Sequence, residues 1–548
     1  MEQLLNVFGF LSVVARGISL SLQSILIGGT AFAFFISRPA LADYPEEEFA
    51  LDRGMDRLMF WAAAGLALTQ ILYLSTNTLI LMDTSGLRLT EVAGALYFIG
   101  SCATILCAIL IAATRRNRNL WFDAFACLVI LLASVATSHA WSRMDYRYLL
   151  AALTFLHQAT AGIWIGALPF LLIAVAKIKS DPAASRVVQR FSRMAMVGVA
   201  ILFFAGAGIS FNYIDAPNAF YGTSYGAMVA SKVFLFGVLL ILGALNKKIV
   251  EAIRANQFGL LTRLRRFAEV EIGIGFTVIL AAASLTSQPP AVDLPRDRLS
   301  VKEMAERFAP RWPRLTSPNV NELTTPTRQV VKQEAAEAEK AGLPPPTYVP
   351  GALPPTPNTP ADIAWSEYNH HWAGVVVFVL GILAVASRSG YFPWARNWPL
   401  VFFGLAIFMF LRADPENWPL GPNGFWESFL EAEVLQHRFF TLIIIAFAIF
   451  EWRVQTGRTQ SKTAALVFPA VCAIGGAILF THSHALGNVK EETLAEWSHI
   501  PLGLLAVLAG WARWTELRIT PEVRKAFSWI WPICFVLIGT VLMLYREA

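Results

Sequence analysis

Residues 191–214 read FSRMAMVGVAILFFAGAGISFNYI, with no charged side chain after Arg193. A spanning helix needs about 20 predominantly apolar residues at about 1.5 Å rise each. This stretch meets that length, and Arg190 and Arg193 stand at its entrance. The next apolar stretch, 225–245, carries one charge, Lys232, and ends at Lys247-Lys248. Moving outward from this pair, apolar runs recur to both ends of the chain. The first set lies at roughly 8–36, 58–82, 92–114, 120–139, 147–176, 191–214, 225–245 and 267–287. The second lies at roughly 371–387, 398–411, 436–452, 464–481, 499–514 and 527–545.

Composition agrees. Of 548 residues, 56% are hydrophobic and 15% charged, against about 25% charged in an ordinary soluble domain. That balance excludes a soluble globular enzyme and a disordered chain. The fold class expected is all-α: a polytopic integral membrane protein of two transmembrane helical bundles, about eight and six helices. The formal charge of +6 sits in short loops and reads as a topology signal, not a nucleic-acid footprint. Cys102, Cys107, Cys127, Cys472 and Cys534 lie inside apolar runs without a CxxC pair, so they read as small buried hydrophobes. Ala40-Leu41-Ala42 resembles a signal-peptidase site, but no Lys or Arg precedes Arg16, so the first run is expected to be a retained span.

Between the two sets, 288–365 holds 15 of the chain's 29 prolines. A segment so rich in proline cannot form long helices and is expected to be extended and solvated. Short surface helices are expected at Val301–Phe308 and Arg328–Ala341. The divisions expected are therefore 1–287, a linker 288–365, and 366–548.

With the N-terminus outside, alternate loops on the inner side hold 26 Lys and Arg, against seven at the short outer loops and helix edges, the long linker left aside. This asymmetry places both termini and the linker on the periplasmic side. All eight histidines then fall at or near outward helix ends: His139, His157, His370, His371, His437, His482, His484 and His499. His157 is the deepest, about ten residues or 15 Å into its helix. Imidazole is a common ligand for borderline metals and for haem iron. Ser138-His139-Ala140 recurs as Ser483-His484-Ala485, each ending one helix before a histidine-bearing successor. Lys232, Arg16 and Gln23 are further polar groups inside spans. Met144 and Met228 lie on the outward side and offer thioethers suited to Cu(I). Glu431 and Glu433 precede His437. Trp141, Trp372, Trp426 and Trp497 read as interfacial anchors.

Several stretches together carry a family likeness. Ala15-Arg16-Gly17 is followed by Gly28-Gly29. Ser138-His139-Ala140 is followed by His157 and Gly162-Ile163-Trp164-Ile165-Gly166. Arg190-Phe191-Ser192-Arg193 opens the sixth span, and Tyr225-Gly226, Lys232 and Asn246 mark the seventh. Glu271 and Pro289-Pro290-Ala291 mark the last. In this order, over roughly 1–292, the chain resembles the CopD/PcoD family of bacterial inner-membrane copper resistance proteins. The resemblance implies copper handling at the periplasmic face, often beside a small CopC-like periplasmic copper-binding protein, with His139 and His157 as candidate ligands. No CopC-like domain is fused here.

Two functions are therefore expected in competition. One is inner-membrane copper transport or homeostasis, with copper at His139 and His157, assisted by Met144 or Met228, and Lys232 in the path. It is a carrier, not an enzyme, and no P-loop pattern is present. The alternative is an electron-transfer protein in which His371, His437, His484 and His499 hold haem b through paired axial histidines. The role of 366–548 rests on the histidines alone.

Overall fold

The computed structural model describes residues 2–117, 119–323, 340, 359–429, 432–481 and 489–547. It is all-helical, with no strand among these residues. Twelve helices are long and apolar enough to cross a membrane, and two shorter apolar helices complete the series. In chain order they are α1 (Phe10–Leu41), α2 (Pro45–Asp83), α3 (Leu96–Ala113), α4 (Leu120–Ala136), α5 (Arg147–Lys177), α6 (Asp181–Tyr213), α7 (Ser224–Arg254) and α8 (Phe258–Leu285). After the linker come α9 (Pro360–Ser389), α10 (Pro393–Arg412), α11 (Val434–Gln455), α12 (Ala464–Leu479), α13 (Val489–Arg518) and α14 (Val523–Met543). Each overlaps one of the apolar runs found in the sequence. The chain is thus a multi-pass membrane protein.

Lipid tails are as apolar as leucine, so helices in a bilayer associate through close packing at small residues. The Gly162–Gly166 stretch shows this directly. Gly166 of α5 rests on the backbone of Ser24 and Gly28 in α1, and a Cβ there would overlap it. Gly162 meets Ile27 of the same helix. In the second block, Gly374 and Gly381 of α9 abut the backbone of α14, and Gly476 of α12 abuts Gly503 and Val507 of α13.

The blocks share one core. Ala477, Phe480, Ile500 and Val507 pack in the same buried cluster as the side chains of α1, α5, α7 and α8. Trp511 of α13 lies over Gly273 of α8, where only a hydrogen leaves room. Polar bonds close the seam at both ends. Trp497 donates to the Tyr221 carbonyl at 2.8 Å, and Ser224 and Thr493 hydroxyls lie 3.0 Å apart. Toward the opposite end, Glu269 of α8 meets Arg518 at 3.2 Å and accepts from Trp514 at 3.0 Å. Trp497 is thus a seam residue and not only an interfacial anchor.

Within the linker, the stretch 289–323 departs from the expected solvated tether. Ala291 and Leu299 are fully or almost fully buried. Leu299 donates its N–H to Gly222 at 3.0 Å, and Asp293 pairs with Arg143 at 3.1 Å. The expected helix Val301–Phe308 forms behind a Ser300 cap. Its Glu303 pairs with Lys490 at 2.7 Å. Further on, Arg314 and Leu315 bond to His371 and Trp372, and Ser317 bonds to Arg412. Proline density forbids a long helix, but it does not prevent an extended strap from docking through scattered apolar and arginine side chains. The expected helix at Arg328–Ala341 falls almost entirely outside the described residues. Because the strap touches residues 143, 222, 371, 412, 490 and 547, those helix ends and the C-terminal residues share one side of the bundle.

Candidate functional site

The strap side carries the described histidines. In the first block His139 opens the short helix His139–Ser142 beyond α4. It lines a cavity of about 390 Å³ with Arg16, Trp141, Arg147 and Thr286. Its Nε2 is buried and has no hydrogen-bond partner. Burial, reinforced by the nearby Arg16 guanidinium, holds this imidazole below its ordinary range and outweighs the carbonyls of Thr286 and Leu285. His139 is therefore neutral at pH 7, and a neutral imidazole is the form that binds metal.

His157 sits within α5 and faces α6, where its ring lies 3.1 Å from the Cβ position of Gly206. Glycine here makes room for the ring. Its Nδ1 is buried and unbonded. Lys232 of α7 is close enough to interact electrostatically with it, and among the described residues Lys232 has no hydrogen-bond or ion-pair partner. An ionisable group so placed in a span is costly and functional by default. Met228 is fully buried, its sulfur 3.6 Å from the Ser231 hydroxyl. Met144 is 85% exposed, and its sulfur accepts from Arg147 at 3.1 Å. The four expected copper ligands are thus distributed: Met144 on the surface, His139 in the vestibule, and His157 and Met228 within the helices. They do not form one closed cage. Among the described residues no group of three or more His, Cys, Asp or Glu is arranged to hold a metal ion.

In the second block three histidines, His370, His371 and His499, gather on Tyr545. His370 stacks on Tyr545 at 3.9 Å between ring centres, and His499 meets the same ring edge-on at 6.2 Å. The Nδ1 of each bonds to a carbonyl one turn back, Ser366 for His370 and Ala495 for His499, both at 2.8 Å. Donation from Nδ1 fixes Nε2 as the acceptor, the tautomer found in many metal-bound histidines. Glu547 accepts from Tyr545 at 2.7 Å and from Ser366. Burial acts to raise the Glu547 pKa, but these two hydrogen bonds, with the nearby His370 and Arg307, together outweigh it and hold the carboxyl below its ordinary range.

His371 is placed differently from its neighbour. Its Nδ1 accepts from the Arg314 N–H at 2.6 Å, and its Nε2 bonds the Tyr545 carbonyl at 2.8 Å. Both ring nitrogens are occupied, so the ring fastens strap, helix and C-terminus together. His437 bonds Asp414 at 2.7 Å. Arg438, beside it, bonds the carbonyls of Phe410 and Trp418. Among the described residues no hydrogen bond or ring contact joins His437 to His370, His371 or His499. His482, His484 and Glu431 lie outside the described residues, as does the Glu433 side chain. Of the set expected to share a cofactor, His371 and His499 come together at Tyr545, with His370 as an unexpected third. Tyr545-Arg546-Glu547, three polar residues just past the last span, was the sequence signal for this cluster.

Comparison with known proteins bears on the first block. Residues 185–285 match the model for the family described as copper resistance protein D. A protein of Bacillus subtilis named copper transport protein CutJ is 29% identical over 205 residues, which is 36% of this chain. The match covers 37% of that relative's length. No solved structure matches. The matched segment runs from α6 to the end of α8, where Leu285 flanks His139. The chain is a multi-pass inner-membrane protein that, over part of its first helical block, is similar to the copper resistance protein D family.

Proposed function

We propose that this protein moves copper across or into the inner membrane, taking it at the strap side, which the Lys and Arg distribution makes the periplasmic one. The observation that carries this reading is the family match across α6–α8, ending beside a neutral imidazole with an unshared buried nitrogen. The relative named as a copper transport protein supports the same cargo. The sparse donors suit passage more than storage. A conducting path must bind its ion well enough to admit it and weakly enough to release it. His139 at the vestibule, His157 deeper in α5 and Met228 in α7 would be successive soft contacts of that kind. Delivery by a small CopC-like periplasmic protein, onto the face formed by the strap, belongs to the same proposal, as does a carrier role without a catalysed reaction.

A bis-histidine haem gains no support from the described geometry, because His371 spends both nitrogens on backbone groups and His437 is held by Asp414. The copper reading is tested by copper affinity of the purified full chain and of His139→Ala. Loss of one soft ligand is expected to weaken binding by about tenfold or more, on the scale of one charge-assisted or metal-orienting contact. Equal affinity in the two proteins would remove His139 from the path.

A further inference from the structure

The vestibule beside His139 continues into the first block. Arg16 and Thr137 line both the vestibule and a second cavity of about 50 Å³, set between α1, α2, α3 and α4. The inner cavity is walled by polar groups on four helices, among them Gln23, Gln70, Tyr73 and Ser101. Gln23 is 7% exposed and Ser101 6%. Neither side chain has a hydrogen-bond partner among the described residues, nor has Tyr73. Water or a ligand in the cavity is what remains to satisfy them.

The charges are one-sided. Arg16 has no hydrogen-bond or ion-pair partner among the described residues, and its Nε is buried. Arg147, on the vestibule wall, makes its hydrogen bonds among the described residues to the Arg143 carbonyl and the Met144 sulfur and lies over the Trp141 ring, with no carboxylate partner. Neither cavity is lined by any Asp or Glu. Asp293, the carboxylate near the vestibule, is already paired with Arg143. A guanidinium within a spanning helix is costly unless something negative accompanies it, and rings of arginine with polar donors are how membrane pores hold anions.

We propose that the Arg16 crevice is a binding site for a small anion, of halide or single-oxyanion size, held by the Arg16 guanidinium with the Gln23 amide and the Ser101 and Tyr73 hydroxyls. The site adjoins the His139 vestibule through Arg16 but uses none of the proposed copper contacts as ligands. A lipid phosphate offers the same chemistry, and the test separates the two sources. The full-length protein in phosphatidylcholine nanodiscs is titrated with radiolabelled chloride. Saturable binding is expected, with affinity about tenfold or more lower in Arg16→Gln, on the scale of a hydrogen bond to a charged group. Arg16→Lys restores part of it. Gln23→Leu, which leaves the charge in place, weakens it several-fold and carries the test if Arg16→Gln fails to fold. Non-saturable binding, or equal binding in well-folded Arg16→Gln, overturns the proposal. So does complete loss of chloride binding in discs containing phosphatidylglycerol, which would make a lipid headgroup the occupant.

Discussion

Replacing His371 by alanine isolates the strap from the rest of the molecule. The imidazole makes two hydrogen bonds, to Arg314 N–H at 2.6 Å and to the Tyr545 carbonyl at 2.8 Å. Each is worth about 1 kcal/mol net. The Arg314 amide can turn to water when released, because that residue is exposed. The Tyr545 carbonyl belongs to a residue only 6% exposed, so leaving it unpaired costs a further 1 kcal/mol or so. Docking of 309–317 should therefore weaken by about 2–4 kcal/mol, or about 30- to 700-fold in its opening equilibrium, at 1.4 kcal/mol per factor of ten. Amide hydrogen exchange of this segment, followed by mass spectrometry in detergent or nanodiscs, reads that ratio directly. His370→Ala is the control, because its ring bonds Ser366 and stacks on Tyr545 but makes no hydrogen bond to 309–317, and it should leave exchange at Arg314 unchanged. Unchanged protection of 309–317 in His371→Ala would refute the fastening role and return the ring to the pool of candidate ligands.

Three further outcomes follow from other contacts. Gly166→Ala places a methyl group into the Ser24 backbone. It should destabilise the α1–α5 crossing by about 3 kcal/mol, seen as a lowered unfolding midpoint or loss of the monodisperse protein. Lys490 and the Ser300 cap hold Glu303 at about 2, so its stabilising contribution exists above the usual carboxylate range and disappears only as pH falls through about 2. Exchange protection of Val301–Phe308 should thus persist in the wild type well below pH 4, about the ordinary carboxyl value, and be reduced in Glu303→Gln at every pH above about 2. His139 is held below its ordinary range, so its protonation sets in at lower pH than that of a free imidazole, about 6.5. The fall of copper affinity with pH should be displaced to the acid side accordingly; a decline centred at or above about 6.5 would show a different titrating ligand.

Much of the architecture was readable because hydropathy acts locally. Even the short run at 398–411 appears as the end of Pro393–Arg412. The meeting of His371 and His499 at Tyr545 follows from the same logic, since alternation of spans decides which helix ends lie together. Individual pairing was not readable. Arg16 and His139 are far apart in sequence and share a cavity only because α1, α4 and the end of α8 converge. Nothing local distinguishes His370 from His371, yet one stacks on Tyr545 while the other ties down the strap. The proline-rich segment misled for a clear physical reason. Proline count reports on backbone freedom and hydrogen-bond donors, whereas docking depended on single side chains such as Leu299, Arg298 and Glu303. Met144 looked like a thioether ligand by position, but only the fold shows it exposed on the vestibule rim.

The most direct measurement is copper flux into proteoliposomes that hold the full chain and an entrapped copper-sensitive dye. Entry above that of empty liposomes, lost in His139→Ala and strongly slowed in His157→Ala, is the predicted result. Flux equal to empty liposomes, or flux indifferent to both substitutions, would contradict a copper path through these two imidazoles.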